Sequence, residues 1–362
     1  MGHPLNSIAT TDSRSRRQLF GLNLIRAVAI VMVMVDHSMR ADISPDIRYL
    51  VHLIFNPDAV LFFMVSGALL LPVTGGYADF VRRRVVRAFV PFVVWVLVYA
   101  VAYYLLGMVN GYSLAMQIRW SWMSYNFDAG WFVPALMAVY FIMPLLSPWV
   151  ATASRRHFHY VLLLWAASGL LPLFGALGGI RTAETPLSLF ASAVPYALIG
   201  YYLTRYRYRG ALLPSYVVQA SADSSLSRRK ARRVRLATLY TLMLSVGVVV
   251  PYALRDAANT FDMRMLSMDW TGLPAIAMAV FWFSLLVRVR SVGAVADRVV
   301  NFIARYSYGI YLSHWLLGGL LLPRYMPEWS ESTAMVFAVS MGGGLAVSFV
   351  LRNIPFLGRY LV

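Results

Sequence analysis

Windows of about 20 consecutive apolar residues recur along this 362-residue chain, each long enough to cross the hydrocarbon core of a bilayer. No other feature limits the fold so strongly. In lipid every backbone N–H and C=O must find a partner inside the protein, and uninterrupted apolar windows of this length do so as helices. Ten can be marked, near residues 22–39, 50–73, 86–107, 130–150, 158–178, 187–204, 236–254, 269–288, 302–322 and 333–351. The expected fold is all-α, a polytopic bundle of about ten spanning helices. Composition leaves no room for a sizeable soluble domain, with 60 % hydrophobic and 13 % charged residues. One membrane domain over 19–362 is expected, behind a polar tail of residues 1–18 that reads as disordered. No further domain is expected beyond span ten.

The basic residues set the orientation. With the N-terminus placed in the cytoplasm, 24 of the 32 Lys and Arg fall inside, 7 outside and Arg26 within the membrane. That is a strong positive-inside signal, with both termini cytoplasmic. The basic stretch 205–235 becomes a cytoplasmic loop. A net charge of +17 then needs no nucleic-acid partner, because the excess lies where anionic headgroups meet it. There is no cysteine, which excludes disulfides, thiol catalysis and thiolate metal sites. His157 and His159 are too few for a metal site, and none is expected.

The first span is interrupted by Arg26 and His37. Eleven residues make three turns plus about 20°, so the two leave one helix face about 16 Å apart along the axis. Intramembrane ionisable residues are costly, and two on one stripe point to function rather than to headgroup anchoring. Asp36 lies about 100° from His37, which disfavours a Ser–His–Asp arrangement on this helix.

Other polar groups recur at membrane depth. Ser66-Gly67 in span two is a small pair that would let another helix approach closely. Arg84 and Arg87 sit at i and i+3 on a helix entering span three, with a kink predicted at Pro91. They read either as headgroup anchors or as two guanidinium forks for a phosphate-bearing ligand. A polar-aromatic outer loop over 107–128 leads to Trp131, where span four opens. In span nine Ser307, Tyr311 and His314 fall at i, i+4 and i+7 on one face, a stripe suited to a shared cavity. The Gly342–Gly344 run in span ten reads as close helix packing.

Arg26 with His37, the FFMVSG segment, Arg84-x-x-Arg87 before a proline, GWFVPALMAVYFIMPLL from Gly130 and SYGIYLSH from Ser307 stand in this order. Together they resemble membrane-bound acyltransferase family 3. The resemblance implies a ten-helix O-acyltransferase, with cytosolic acyl-CoA, usually acetyl-CoA, as co-substrate and no permanently bound cofactor. It implies a carbohydrate acceptor such as a surface exopolysaccharide or a lipid-linked oligosaccharide. The setting is the bacterial cytoplasmic membrane, where membrane lipids are the other partners.

By the same resemblance His37 and Arg26 are catalytic, and Arg84 and Arg87 bind the donor. Ser66, Tyr311, His314 and Trp131 are candidates for lining a donor tunnel or stabilising an oxyanion. A base with a pKa near 7 suits attack by a sugar hydroxyl on a thioester, which favours histidine. The alternative is a transporter or flippase for a lipid-linked or small polar substrate, which would also want intramembrane Arg and His.

Overall fold

The computed structural model describes residues 5–108, 130–170, 192–206, 225–254, 270–355 and 358, and these are helical, with no strand among them. In chain order the helices are α1 (Leu5–Ser38), α2 (Pro45–Phe55), α3 (Asp58–Leu70), α4 (Tyr77–Arg84), α5 (Val90–Leu105), α6 (Phe132–Thr152), α7 (Arg155–Ser168) and α8 (Val194–Tyr206). Then come α9 (Ser225–Leu244), α10 (Val250–Leu254), α11 (Leu273–Leu286), α12 (Ala294–His314), α13 (Leu322–Tyr325), α14 (Pro327–Ser330), α15 (Thr333–Ala338) and α16 (Gly344–Asn353). Wide π turns join four of these pairs: Val85–Phe89, Ser245–Val249, Trp315–Leu321 and Val339–Gly343.

Among the described residues six helices are long and apolar enough to cross a membrane: Leu19–Ser38, Pro45–Leu70, Tyr77–Leu105, Phe132–Thr152, Arg233–Ala253 and Thr333–Asn353. The chain is an integral multi-pass membrane protein. The difference from ten has local causes. Expected spans five and six fall partly on residues 171–191, outside the described residues, as does nearly all of the 107–128 loop. Span eight is the short apolar α11. Span nine is α12 with its π turn, whose hydroxyls, glycines and histidine dilute its apolar character. Helix α1 also begins at Leu5, within the tail that composition reads as disordered; no proline interrupts propagation back from the apolar segment.

The helices form two compact units. The first comprises 1–45, 70–152 and 290–362, the second 46–69 and 153–289. In the second unit α3 and α8 cross backbone to backbone. A Cβ on Gly67 would stand 1.9 Å from the Ala197 carbonyl oxygen, and one on Gly200 2.0 Å from that of Met64. The small pair in span two is thus where a helix closes in, through Gly67. Pro57 interrupts this span between α2 and α3, and the break is tied to α11 by the Trp282 indole N–H, which donates to the Ile54 carbonyl at 3.0 Å. His157 completes a capping box with Ser154, and His159 bonds the Tyr202 hydroxyl at 2.7 Å.

In the first unit α1 packs along α12, and α16 packs on α12 from another side. Arg352 lies over the Tyr306 ring, 5.7 Å from its centroid. Of the three glycines in span ten, Gly344 faces α12, where a Cβ would meet Ile310 and Ser313 at 3.3 Å; Gly342 faces open space. Buried hydroxyls bond back to their own helix: Ser313 donates to Gly309 at 2.8 Å and Ser348 to Gly344 at 2.6 Å. Such back-bonding satisfies a hydroxyl where lipid offers no partner.

Candidate active site

The site lies in the first unit, on the seam between α1 and α12. Three side-chain pairs bridge it. Asn23 donates to Asn301 at 2.8 Å, an Arg26 guanidinium nitrogen donates to the Ser307 hydroxyl at 3.3 Å, and His37 Nδ1 lies 2.9 Å from His314 Nε2. Residue numbers rise together on both helices, so the two run parallel, as first and ninth spans of a ten-span count would. The spacing of Arg26 and His37 on one face is what lets both reach the same neighbour.

Partner chemistry assigns the hydrogens of the histidine pair. His314 Nδ1 lies 2.6 Å from the Tyr311 carbonyl oxygen, which can only accept, so this nitrogen carries the hydrogen. In a neutral ring Nε2 of His314 is then a bare acceptor. It receives the Nδ1–H of His37, which leaves the lone pair of neutral His37 on Nε2. The ring planes lie within 19° of each other, with centroids 5.2 Å apart, and the edge of Trp315 stands against His37 at 6.2 Å. His314 is buried, 1 % exposed, while His37 is half-buried. A buried histidine thus orients a more accessible one, the role that geometry denies to Asp36.

Arg40, just past α1, clamps its end. Its guanidinium donates to the His37 and Met39 carbonyls, both at 3.1 Å, and to Ser330 at 3.2 Å. Nearby, the Asp42 carboxylate accepts the Thr333 N–H and hydroxyl and thereby caps α15. The Thr333 hydroxyl, then its N–H, holds the Asp42 carboxyl below the usual carboxylate range. Cations beside final helix carbonyls are a known signal, so Arg40 was there to be found in the sequence.

Arg84 ends α4 and Arg87 lies in the π turn that follows. Pro91 explains that turn: it offers no N–H to the Arg87 carbonyl and its ring displaces that group. Arg84 lies over the faces of Phe80 and Tyr140, at 5.3 and 5.9 Å from their centroids. Its Nε is buried with no hydrogen-bond partner among the described residues. Arg87 is exposed. The pair therefore offers one guanidinium braced by aromatic rings and one open to solvent.

A small aromatic recess lies next to the turn that carries His314, lined by Phe92, Trp95, Tyr99, Tyr311, Leu312 and Trp315. Trp131 reaches this wall indirectly: it packs edge-on to Phe132 at 6.3 Å, which packs on Tyr311 at 5.3 Å. Ser66 belongs to the second unit, on α3. The first unit thus gathers Arg26, His37, Tyr311 and His314 with Trp131 behind them, and bears Arg84 and Arg87 on the helix that also lines the recess.

Residues 19–353 match the model of the acyltransferase domain that defines the acyltransferase 3 family. The chain belongs to that family. No curated protein and no solved structure matches it. The match runs from Leu19 within α1 to the end of α16, so this acyltransferase 3 protein is a membrane acyltransferase whose reaction joins an acyl donor to an acceptor. The seam holds a tautomer-locked imidazole, and the helix bearing Arg84 and Arg87 carries fixed positive charge.

Proposed function

We propose that this protein is an O-acyltransferase of the bacterial cytoplasmic membrane that transfers an acyl group, acetyl by preference, from cytosolic acyl-CoA to a hydroxyl of a surface polysaccharide or lipid-linked oligosaccharide. The observation that carries the reading is the histidine relay, in which Tyr311 fixes His314 and His314 fixes His37 with its lone pair on Nε2. In the step, His37 Nε2 takes the proton of the acceptor hydroxyl as its oxygen bonds to the thioester carbon. The tetrahedral oxyanion collapses, the C–S bond breaks, and the leaving sulfur takes the proton back from His37. Ester and free CoA thiol result, and His37 ends neutral. While His37 is an imidazolium, its Nδ1–H remains bonded to His314, a charge-assisted contact stronger than the neutral one it replaces.

Both ring nitrogens of His314 are engaged, so it acts as the partner of His37 rather than as an oxyanion donor; Tyr311 remains the candidate for that task, and Ser66, in the second unit, has no assigned part. Arg84 and Arg87 serve the diphosphate and ribose phosphate of the donor, on the cytosolic side by the charge asymmetry. From Arg87 to Trp95 is eight residues, about 12 Å of helix rise. A pantetheine arm of about 1.3–1.5 Å per bond covers that distance, which supports the aromatic recess as the berth of the thioester. Arg26 holds the inner part of the seam through Ser307.

The test is thiol release by purified protein given acetyl-CoA and a glycan acceptor, with the acetylated glycan read by mass spectrometry. His37→Ala should abolish both signals without lowering yield or thermal stability. Full single-turnover activity in that variant would remove His37 from the mechanism.

A further inference from the structure

Tyr99 of α5 meets the α12 segment at its backbone rather than at a side chain. An unbroken α-helix pairs the N–H of residue 316 with the carbonyl of residue 312. In this protein the Tyr99 hydroxyl stands between them: it accepts the Leu316 N–H at 2.9 Å and donates to the Leu312 carbonyl at 2.9 Å. A side chain inserted into the ladder is a recognised cause of a helix irregularity, and the π turn Trp315–Leu321 starts one residue after His314. Tyr99 is 8 % exposed, so water has little access to take its place.

Consecutive carbonyls on this turn have different duties. That of Tyr311 receives the His314 imidazole, and that of Leu312 receives Tyr99. A π turn holds one residue more than an α turn. Closing it would rotate the segments on either side relative to each other, and with them His314 relative to Trp315, whose edge abuts His37. The arrangement is mirrored lower on the same pair of helices. Tyr308 of α12 donates to the Ala88 carbonyl, inside the π turn that bears Arg87. Each helix therefore sends a tyrosine into the other's irregular turn.

We infer that Tyr99 is a positioning residue for acyl transfer: by splicing its hydroxyl into α12 it holds open the turn that aims His314, and through it His37, while tying both to the helix of Arg84 and Arg87. This rests on the acyltransferase reading proposed above. The test is Tyr99→Phe in the full chain, which removes one oxygen and keeps the ring that lines the recess, with the exposed Tyr104→Phe as control. Displacement of a reacting group by about 1 Å costs about a hundredfold in rate, so kcat should fall by about that factor with KM for acetyl-CoA within about twofold of wild type. A second readout needs no activity: carbethoxylation of His314 by diethyl pyrocarbonate, mapped by mass spectrometry, should be slow in wild type and Tyr104→Phe and faster in Tyr99→Phe.

Wild-type kcat in Tyr99→Phe, a loss expressed equally in KM, or His314 labelling at the wild-type rate would each overturn the inference. Absence of acyl transfer by wild-type protein would overturn the reading of function, and the labelling experiment would still report whether Tyr99 holds His314.

Discussion

Replacing His314 by Phe tests the relay at its centre. The substitution keeps a flat apolar ring and removes the acceptor 2.9 Å from His37 Nδ1. In the resting enzyme the loss is that of a neutral hydrogen bond, about 0.5–1.5 kcal/mol. In the transition state His37 approaches an imidazolium, and a bond to a charged group is worth about 1.5–3 kcal/mol. Only the difference enters the barrier, about 1–1.5 kcal/mol at matched ends of the two ranges, which gives a kcat about 5- to 13-fold lower, since 1.36 kcal/mol is tenfold. Donor KM should stay close to wild type, because His314 is remote from Arg84 and Arg87 in the proposed geometry. The assay is thiol release at saturating acetyl-CoA, with His37→Ala and the double variant beside it. Groups that act as a unit are non-additive, so the double variant should be no slower than His37→Ala alone. A kcat unchanged in His314→Phe, or losses that multiply in the double variant, would refute the relay.

Arg84→Ala and Arg87→Ala should each weaken CoA binding, titrated by calorimetry in detergent, by about 1.5–3 kcal/mol, with acceptor KM unchanged; unchanged affinity in both would return these residues to headgroup anchoring. Gly67→Ala should lower the thermal midpoint by the equivalent of at least about 1–3 kcal/mol, because the new methyl would stand 1.9 Å from the Ala197 carbonyl oxygen; an unchanged midpoint would mean that α3 and α8 do not cross in contact. The depressed Asp42 carboxyl contributes stability that is present above its unfolded pKa of about 3.9 and is lost as pH falls through the folded value. Exchange of the amides opening α15 should therefore rise below about pH 4 beyond its intrinsic pH dependence; in Asp42→Asn this step should be absent.

The helical class and the Arg26–His37 face were legible because each depends on short-range rules, length of apolar window and 3.6-residue phase. The partnership of His37 with His314 was not, although both residues stood out. Sequence spacing says which residues share one helix face and not which two helices meet, and 277 positions separate the two histidines. The count of spans is less legible for a related reason: the polar stripe of span nine lowers its hydropathy, and parts of spans five and six lie outside the described residues. Tyr99 carried no signal at all, being one aromatic among 22 tyrosines, distinguished only by a π turn on a helix more than 200 residues away.

The two irregular turns and the histidine relay follow from one constraint. A polar side chain in a bilayer must be satisfied by protein, and a regular helix offers it the second lone pair of a carbonyl but no spare N–H. His314 meets the need by bonding the Tyr311 carbonyl of its own helix; Ser307 does so by donating to Ala304 at 3.0 Å. Tyr99 and Tyr308 meet it across helices, and the π turns supply the backbone groups that receive them. A relay of neutral imidazoles suits this setting better than a buried carboxylate would. An ionised aspartate at that depth would need full compensation for its desolvation, whereas His314 costs only the ordering of a ring already bonded at both nitrogens. The rule behind Asp36 standing off the histidine face is therefore energetic as well as angular: in a membrane the orienting partner of a catalytic histidine is cheapest when it is uncharged.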